Sequence, residues 1–456
     1  MNLRYILGCV FLLSVSSQLL AQPFKLMRQD EDYTGLADSS RGIYNRLKYT
    51  PLSRDGRAYL SLGGEVRGEV DYALHEDWGE HGLGRDVFVL QRYHLHADLH
   101  LGNRVRVFGQ LRSGLEDGRK RGPRGIDEDQ LNVQNLFVDV VPFGRTGRTL
   151  TVRLGRQELR YGSGRLVDVR DGPNLRLYFD GAKVAYASPR LHVDAFVMAD
   201  ARVNTGAFDN TSNRKANLWG IYSTYITPKN LLFDFYYLGI HRADSRFNAG
   251  IADESRHTLG TRFWQDGIGF VYNFETGFQF GAFGTERIRA MALSSEVGYV
   301  FAHSKRLPAV KLRTDYISGD KASGDGTMGT FNAMYPNGGY FGMNPQAGPA
   351  NLRSVHPNLT WNPTDPFIFT LDLVFYWRNS LNDGIYGPSG ALTLSSSDAK
   401  KRYIGTAYMT TFSWHINDFL NYNIGVQYFK TGHFINDVIP QHKDGFFLGS
   451  VLAFKF

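Results

Sequence analysis

Along Tyr59–Tyr72, Leu60, Leu62, Val66, Val70 and Tyr72 share one parity, and Ser61, Glu65, Arg67, Glu69 and Asp71 share the other. The design repeats in Val89–Leu101, where Val89, Tyr93, Leu95, Ala97, Leu99 and Leu101 alternate with Arg92, His94, His96, Asp98 and His100. In Arg104–Leu115, Val105, Val107, Leu111 and Leu115 alternate with Arg104, Arg106, Gln110 and Arg112. Alternation held this long marks a β-strand with one apolar and one polar face. Later segments follow the same rule: 191–202, 270–280, 310–316, 367–378 and 421–428. Further strands are predicted near 133–143, 216–226, 230–241, 254–264, 288–301, 352–361 and 402–415, for a total of about eighteen. Such strands exceed the usual length of about five or six residues in a soluble sheet. They match the roughly nine to eleven residues that a strand needs to cross a bilayer.

The connections alternate in length. Leu101–Arg104, Phe143–Thr149 and Pro228–Asn230 are short, whereas Glu116–Gln130, Asp320–Asn351 and Asn379–Lys400 are long and polar. Short turns on one side and long loops on the other describe an outer-membrane barrel. The expected fold is therefore all-β: a transmembrane antiparallel β-barrel of about 18 strands with short periplasmic turns and long extracellular loops. It occupies residues 54–456, after an irregular, polar segment at 22–53 with the character of a small plug. Residues 1–21 read as a signal peptide, with Arg4, an apolar run Tyr5–Val15, and Leu19-Leu20-Ala21 before Gln22. The chain is expected in the cell outer membrane. At the other end, Phe446, Leu448, Leu452, Phe454 and Phe456 alternate with Phe447, Gly449, Val451, Ala453 and Lys455. A last amphipathic strand closing on Phe456 resembles the signal read by the bacterial barrel-insertion machinery.

Composition narrows the partners. The chain of 456 residues holds Phe 32, Tyr 25 and Gly 50, a profile of aromatic-faced strands and tight turns. Its net charge of +7 favours anionic partners. The basic residues are spread along strands rather than gathered in a tail or on one helix, so nucleic acid is not expected. The single cysteine, Cys9, lies within the signal, which removes disulfides, thiolate nucleophiles and cysteine metal sites from the mature chain. No cofactor is implied.

The charged parity must face water. An arginine on the lipid face costs about 2–4 kcal/mol at mid-bilayer and little in a wet lumen. A closed barrel also pairs every backbone group, as spanning lipid demands. About eighteen strands leave a channel rather than a packed core.

One stretch concentrates the chemistry. Leu150–Gly181 opens and closes as a strand, and between them carries Arg156, Arg160, Arg165, Arg170 and Arg176 interleaved with Glu158, Asp168, Asp171 and Asp180. Guanidinium suits carboxylate recognition by its planar fork. Two readings of these arginines compete: a constriction that contacts anionic cargo, and ion pairs that brace wall and loop. Arg67, Arg92, Arg106 and Arg112 are further candidates on the lumen parity.

Gly155-Arg156-Gln157-Glu158-Leu159, Tyr161-Gly162-Ser163-Gly164-Arg165-Leu166-Val167, Arg170, Asn174-Leu175-Arg176 and Phe179-Asp180-Gly181 resemble the alginate-export outer-membrane porins. The resemblance implies an eighteen-stranded barrel with an arginine-lined, electropositive constriction that passes a polyanionic uronate polysaccharide outward. On that basis the residues expected to bind and select cargo are Arg156, Glu158, Arg160, Arg165, Asp168, Arg170, Arg176, Arg67, Arg92, Arg106 and Arg112. The expected partners are outer-membrane lipid, an anionic polysaccharide or oligosaccharide, and periplasmic secretion components. A general porin, or one taking up anions or oligosaccharides, is the alternative. From another class, a barrel-type surface enzyme or adhesin is weighed as well. Ser163 sits in Gly-Ser-Gly rather than in a Gly-x-Ser-x-Gly elbow, which speaks against a serine hydrolase. His94 and His96 are spaced to share a metal, but a solvated lumen face is the expectation for them. Asp320–Asn351 lacks the spaced acids of a calcium loop and is read as an extracellular loop able to fold into the mouth.

Overall fold

The computed structural model describes residues 24–37, 42–80, 82, 84–301, 308–396 and 399–456. The expected signal peptide lies outside the described residues. Eighteen long strands among the described residues form one closed antiparallel barrel. In chain order they are β1 Ala58–Leu74, β2 Arg85–Leu101, β3 Val105–Asp117, β4 Asp129–Arg145, β5 Arg148–Gln157 and β6 Phe179–Ala187. Next come β7 Leu191–Arg202, β8 Thr211–Ile226, β9 Leu232–Phe247, β10 Gly250–Gln265, β11 Gly269–Phe283 and β12 Glu286–Val300. The last six are β13 Ala309–Ile317, β14 Leu352–Thr364, β15 Phe367–Arg378, β16 Tyr403–His415, β17 Leu420–Thr431 and β18 Gly445–Lys455. Each pairs with the next, and β18 returns to β1 with Val66 opposite Phe454 and Glu65 opposite Lys455. Closure leaves no edge for lipid to meet.

The predicted parity holds through the register. Val66, Leu95, Leu136, Leu154, Val197, Phe235, Phe278 and Leu371 stand on the outer surface, while Glu65, Arg92, Arg112 and Asp139 are buried within. Several predicted strands are longer than the alternation alone indicated; the one near 133–143 is β4. The two ends also differ from a simple short-and-long scheme. At the long-loop end, β9–β10 and β11–β12 turn through Asn248-Ala249 and Gly284-Thr285 alone.

Glycine is required where β5 passes β4. Gly155 lies opposite Gly181, and a Cβ on Gly155, at φ +128°, would fall 2.3 Å from the Leu136 carbonyl oxygen. Only glycine fits such a conformation without strain.

The segment from Asp32 onward contains a short helix, Ile43–Lys48, and Thr50–Pro51, which pairs with Tyr59 and Leu60 at the start of β1. Tyr49 stacks on inward-facing Tyr59 at 4.6 Å, and Tyr59 stacks on His100 at 4.2 Å. This part of the expected plug therefore reaches inside the barrel wall. Residues 24–31 belong to a separate unit, with a turn at Arg28–Asp30 and an Arg28–Glu31 ion pair of 2.8 Å.

Candidate functional site

Three long connections, residues 158–178, 318–351 and 379–402, turn into the lumen and are tied together. Tyr335 N–H donates to the Leu166 carbonyl at 2.9 Å, Asp168 N–H to Tyr335 at 2.9 Å, and Asn337 N–H to Gly164 at 2.8 Å. Asp383 joins the second loop to the third. It accepts from Asp320 N–H at 2.8 Å, the Thr330 hydroxyl at 2.6 Å and the Tyr386 hydroxyl at 2.7 Å. Burial nevertheless pushes the Asp383 carboxyl up, against these donors.

Apolar packing keeps the loops in place. Inward positions Phe196, Met198, Leu218, Tyr222, Tyr236, Leu238 and Ile240 on β7–β9 share one buried cluster with Leu159, Leu166 and Val167 of the first loop and Phe331, Met334, Tyr335 and Phe341 of the second. Left facing water, such a wall would be unfavourable by about 25 cal/mol for each Å² of apolar surface. The sequence signal is the loss of alternation: Phe196-Val197-Met198 and Leu238-Gly239-Ile240 are apolar on both parities.

Four of the nine candidate arginines hold the first of these loops, residues 158–178. Arg67 donates to the carbonyls of Asp171 at 3.0 Å and Gly172 at 3.1 Å. Arg92, 1% exposed, donates to the carbonyls of Asp171 at 2.8 Å and Asn174 at 2.9 Å and to that of Pro173, and pairs with the carboxylates of Glu65 at 3.2 Å and Asp171 at 2.9 Å. Arg112 holds the Asp129 carboxylate with two nitrogens, at 3.1 and 2.7 Å, and donates to the Arg176 carbonyl at 2.9 Å. Arg176 pairs with buried Glu158 at 3.0 Å and lies 3.6 Å from Asp171. Burial pushes the Asp171 carboxyl up, but Arg92, Arg176 and Arg67 outweigh it and hold the group well below the usual range. Arg67, Arg92, Arg176 and Glu158 are thus brought together around Asp171, with Arg112 alongside.

The other candidates lie apart. Arg156 forks onto Asp180 at 2.8 and 3.1 Å and covers the Tyr178 ring. Arg165 pairs with Glu275 at 2.9 Å and donates to the Tyr340 hydroxyl at 2.9 Å. Arg170, with φ 55°, donates to the Pro336 carbonyl at 2.9 Å, which ties the first loop to the second. Arg106 forks onto Asp98 at 2.7 Å on each arm, nearer the short-turn end. Arg160 differs from all of these. Its side chain is 41% exposed, and its carboxylate partner is Asp168 at 3.2 Å. Burial pushes the Asp168 carboxyl up, against the Arg170 N–H and the nearby Arg160 and Arg176.

His94 and His96 are buried, not solvated as expected, and the described residues hold no metal-binding group of three or more His, Cys, Asp or Glu. The Ser163 hydroxyl donates to Glu275 at 2.7 Å rather than to a histidine. Toward the short-turn end, further pairs line the inner face: Arg153 with Asp139, Lys183 with Asp194, Arg262 with Asp234, and Lys311 and Arg313 with Glu296. Several of these were visible as inward charges, but their pairing comes from cross-strand register, which alternation does not give.

A closed eighteen-strand barrel with an apolar outer face, a charged inner face and loops folded into the bore is an outer-membrane channel. The profile of the alginate export family matches residues 58–447, so the chain belongs to that family. No curated protein matches the sequence. Among solved structures, the outer membrane protein opdK from Pseudomonas aeruginosa is similar with a TM-score of 0.58 and 11% identity, over 87% of this chain and 98% of that one. A BenF-like porin from Pseudomonas fluorescens Pf-5 has a TM-score of 0.58 and 10% identity over the same shares. Pseudomonas aeruginosa OccK2 (OpdF), in complex with glucuronate, has a TM-score of 0.56 and 10% identity, again over 87% and 98%. At these identities the likeness is one of fold.

Proposed function

We propose that the barrel is a passive, anion-selective channel for an acidic polysaccharide or oligosaccharide, with alginate-like uronate export as the leading case. The observation that carries this reading is the contrast within residues 156–176. Arg156, Arg165 and Arg176 are largely covered, at 16%, 9% and 3% side-chain exposure, and Arg160 is open at 41%. The covered arginines shape the constriction, and Arg160 meets the cargo carboxylate. Below it the pairs are wetter: Lys311 and Arg313 are each 25% exposed. A carboxylate moving along this wall exchanges with Asp168, Asp194 or Glu296 for a share of each cation. Conduction requires binding that is favourable but weak enough to release.

The filled long-loop half supports a second reading, uptake or passage of short acidic oligosaccharides rather than a polymer. A loop-narrowed bore suits a small solute, and a solved structure of the same fold holds glucuronate. In planar bilayers, the reversal potential under a salt gradient tests the first claim, and cation preference refutes it. Block by oligouronates but not by neutral maltodextrins tests the cargo class. Chain-length dependence of that block separates polymer from oligosaccharide.

A further inference from the structure

Inside the barrel, nearly every arginine described above has a carboxylate partner. Arg353 stands on the opposite, lipid-facing parity, opposite Tyr316 and Trp377 in register. It lies one residue inside the long-loop ends of β14 and β15. Its guanidinium lies over the Tyr316 ring at 5.1 Å and donates to the Asn379 side chain at 2.7 Å, and among the described residues it forms no ion pair.

A groove of about 1010 Å³ leads away from it along the outer face of β9–β15. The inward-parity residues Glu275, Ser294, Asp315 and Ser354 also border it, their side chains engaged on the inner face with Arg165, Asp315, Ser294 and Tyr340. The register shows why it exists. Thr261 pairs with Thr276, and Ser295 pairs with Thr314, so two adjacent rows carry short side chains in the middle of a surface otherwise built from Phe, Leu and Val. Phe235, Phe263 and Phe274 form its walls. The Ser295 and Thr314 hydroxyls bond each other at 2.8 Å and Thr261 donates to the Asp234 carbonyl at 3.0 Å, so these three ask nothing of an occupant, while the Thr276 hydroxyl is buried without a partner among the described residues. The result is a trough walled by aromatic and aliphatic side chains on its outer face, with a tryptophan and a cation that has no ion pair among the described residues at its headgroup end.

We propose that this groove docks a phosphate-bearing glycolipid of the outer leaflet, with its acyl chain over Thr276 and Ser295 and its phosphate on Arg353. Charge complementarity selects this occupant. A guanidinium at the interface without an internal acid takes a phosphate by charge-assisted hydrogen bonds, and the interfacial aromatic sits at headgroup level. A neutral acyl lipid would fill the trough and leave Arg353 unpaired.

The test is native mass spectrometry on the full chain, assembled in the outer membrane, extracted in mild detergent and stripped of lipid. Bisphosphorylated lipid A, the same lipid without phosphates, and inorganic phosphate are added in turn. Arg353→Ala is expected to weaken lipid A binding about tenfold, or about 1.4 kcal/mol, and to leave the phosphate-free lipid unaffected. Ser295→Phe, which fills the trough, is expected to weaken both lipids. Unchanged heat-modifiable mobility and conductance show that each variant is assembled. Equal lipid A binding by wild type and Arg353→Ala overturns the proposal. So does equal retention of inorganic phosphate, or a dimer cross-linked through Thr314→Cys.

Discussion

Replacing Arg92 by alanine separates the two roles open to these arginines. Arg92 is 1% exposed, touches two carboxylates, and donates to three carbonyls of the inward loop. Breaking a buried ion pair by removing one partner costs about 3–5 kcal/mol, because the other charge is left without compensation. Here Asp171 keeps Arg176 at 3.6 Å and carbonyl contacts from Arg67, so the lower end applies. Glu65 keeps Lys455, at 3.7 Å. The barrel ladder does not depend on Arg92, so the loss falls on the docking of residues 158–178. A penalty of about 3 kcal/mol shifts the ratio of docked to released loop by about 10².

Single-channel recording should then show a larger, noisier conductance for Arg92→Ala. Arg92→Lys should be intermediate, since lysine keeps the charge and loses the planar fork. Adding Glu65→Gln to Arg92→Ala should recover part of the wild-type behaviour by removing the stranded carboxylate. Unchanged conductance together with weaker oligouronate block would refute the bracing role and make Arg92 a cargo contact.

Arg160→Ala should lower anion preference in reversal-potential measurements, with a stability change within about 0.5 kcal/mol because the residue is exposed. The raised Asp168 carboxyl takes up a proton earlier than an ordinary aspartate as pH falls from 7 toward 4. Arg160 then loses its acid, so anion preference should rise on acidification; Asp168→Asn should show the acid-side selectivity at pH 7 and flatten the profile. Asp171 behaves oppositely. Its carboxyl is held low in the folded state, so the stability it contributes is fully present above about 3.8 and is lost only as pH falls through that lower folded value. Asp171→Asn should accordingly change limited proteolysis of residues 158–178 by the same factor at pH 7 and pH 5. Asp383→Ala strands buried donors at a cost of about 1–3 kcal/mol, and should expose residues 318–351 and 379–402 to protease while the barrel keeps its heat-modifiable mobility.

The barrel was legible because its two faces meet different solvents. Lipid on one side and charge on the other impose a period of two on every strand, and Tyr59–Tyr72 or Phe367–Arg378 display it without help from neighbours. The inward loops were not legible in the same way. Residues 158–178 and 318–351 have no regular period, since their backbone groups are satisfied by side chains such as Arg92 and Asp383 rather than by a ladder. The doubly apolar runs at 196–198 and 238–240 were the available sign that something covers the inner wall there. The arginines were legible as a set and not as roles. Whether a guanidinium faces cargo or a carbonyl depends on where Asp171, Gly172 and Asn174 come to rest, and that is decided by contacts 79 to 105 residues away in the chain.

Pairing also bears on how an electropositive bore can conduct. A bare arginine cluster would hold a polyuronate at many points, and release would require breaking all of them. In this lumen Arg106 is matched by Asp98, Arg153 by Asp139, Lys183 by Asp194 and Arg313 by Glu296. Under the proposed function, each incoming carboxylate would displace part of an existing contact, so the net gain per step would be a difference between two similar ion pairs. That difference is small, while the cation remains desolvated and oriented for the next group. The covered arginines would, on that reading, brace the wall without adding to the grip on cargo. Under the proposed function, selectivity would rest on the few cations that solvent reaches, with Arg160 at 41% side-chain exposure foremost.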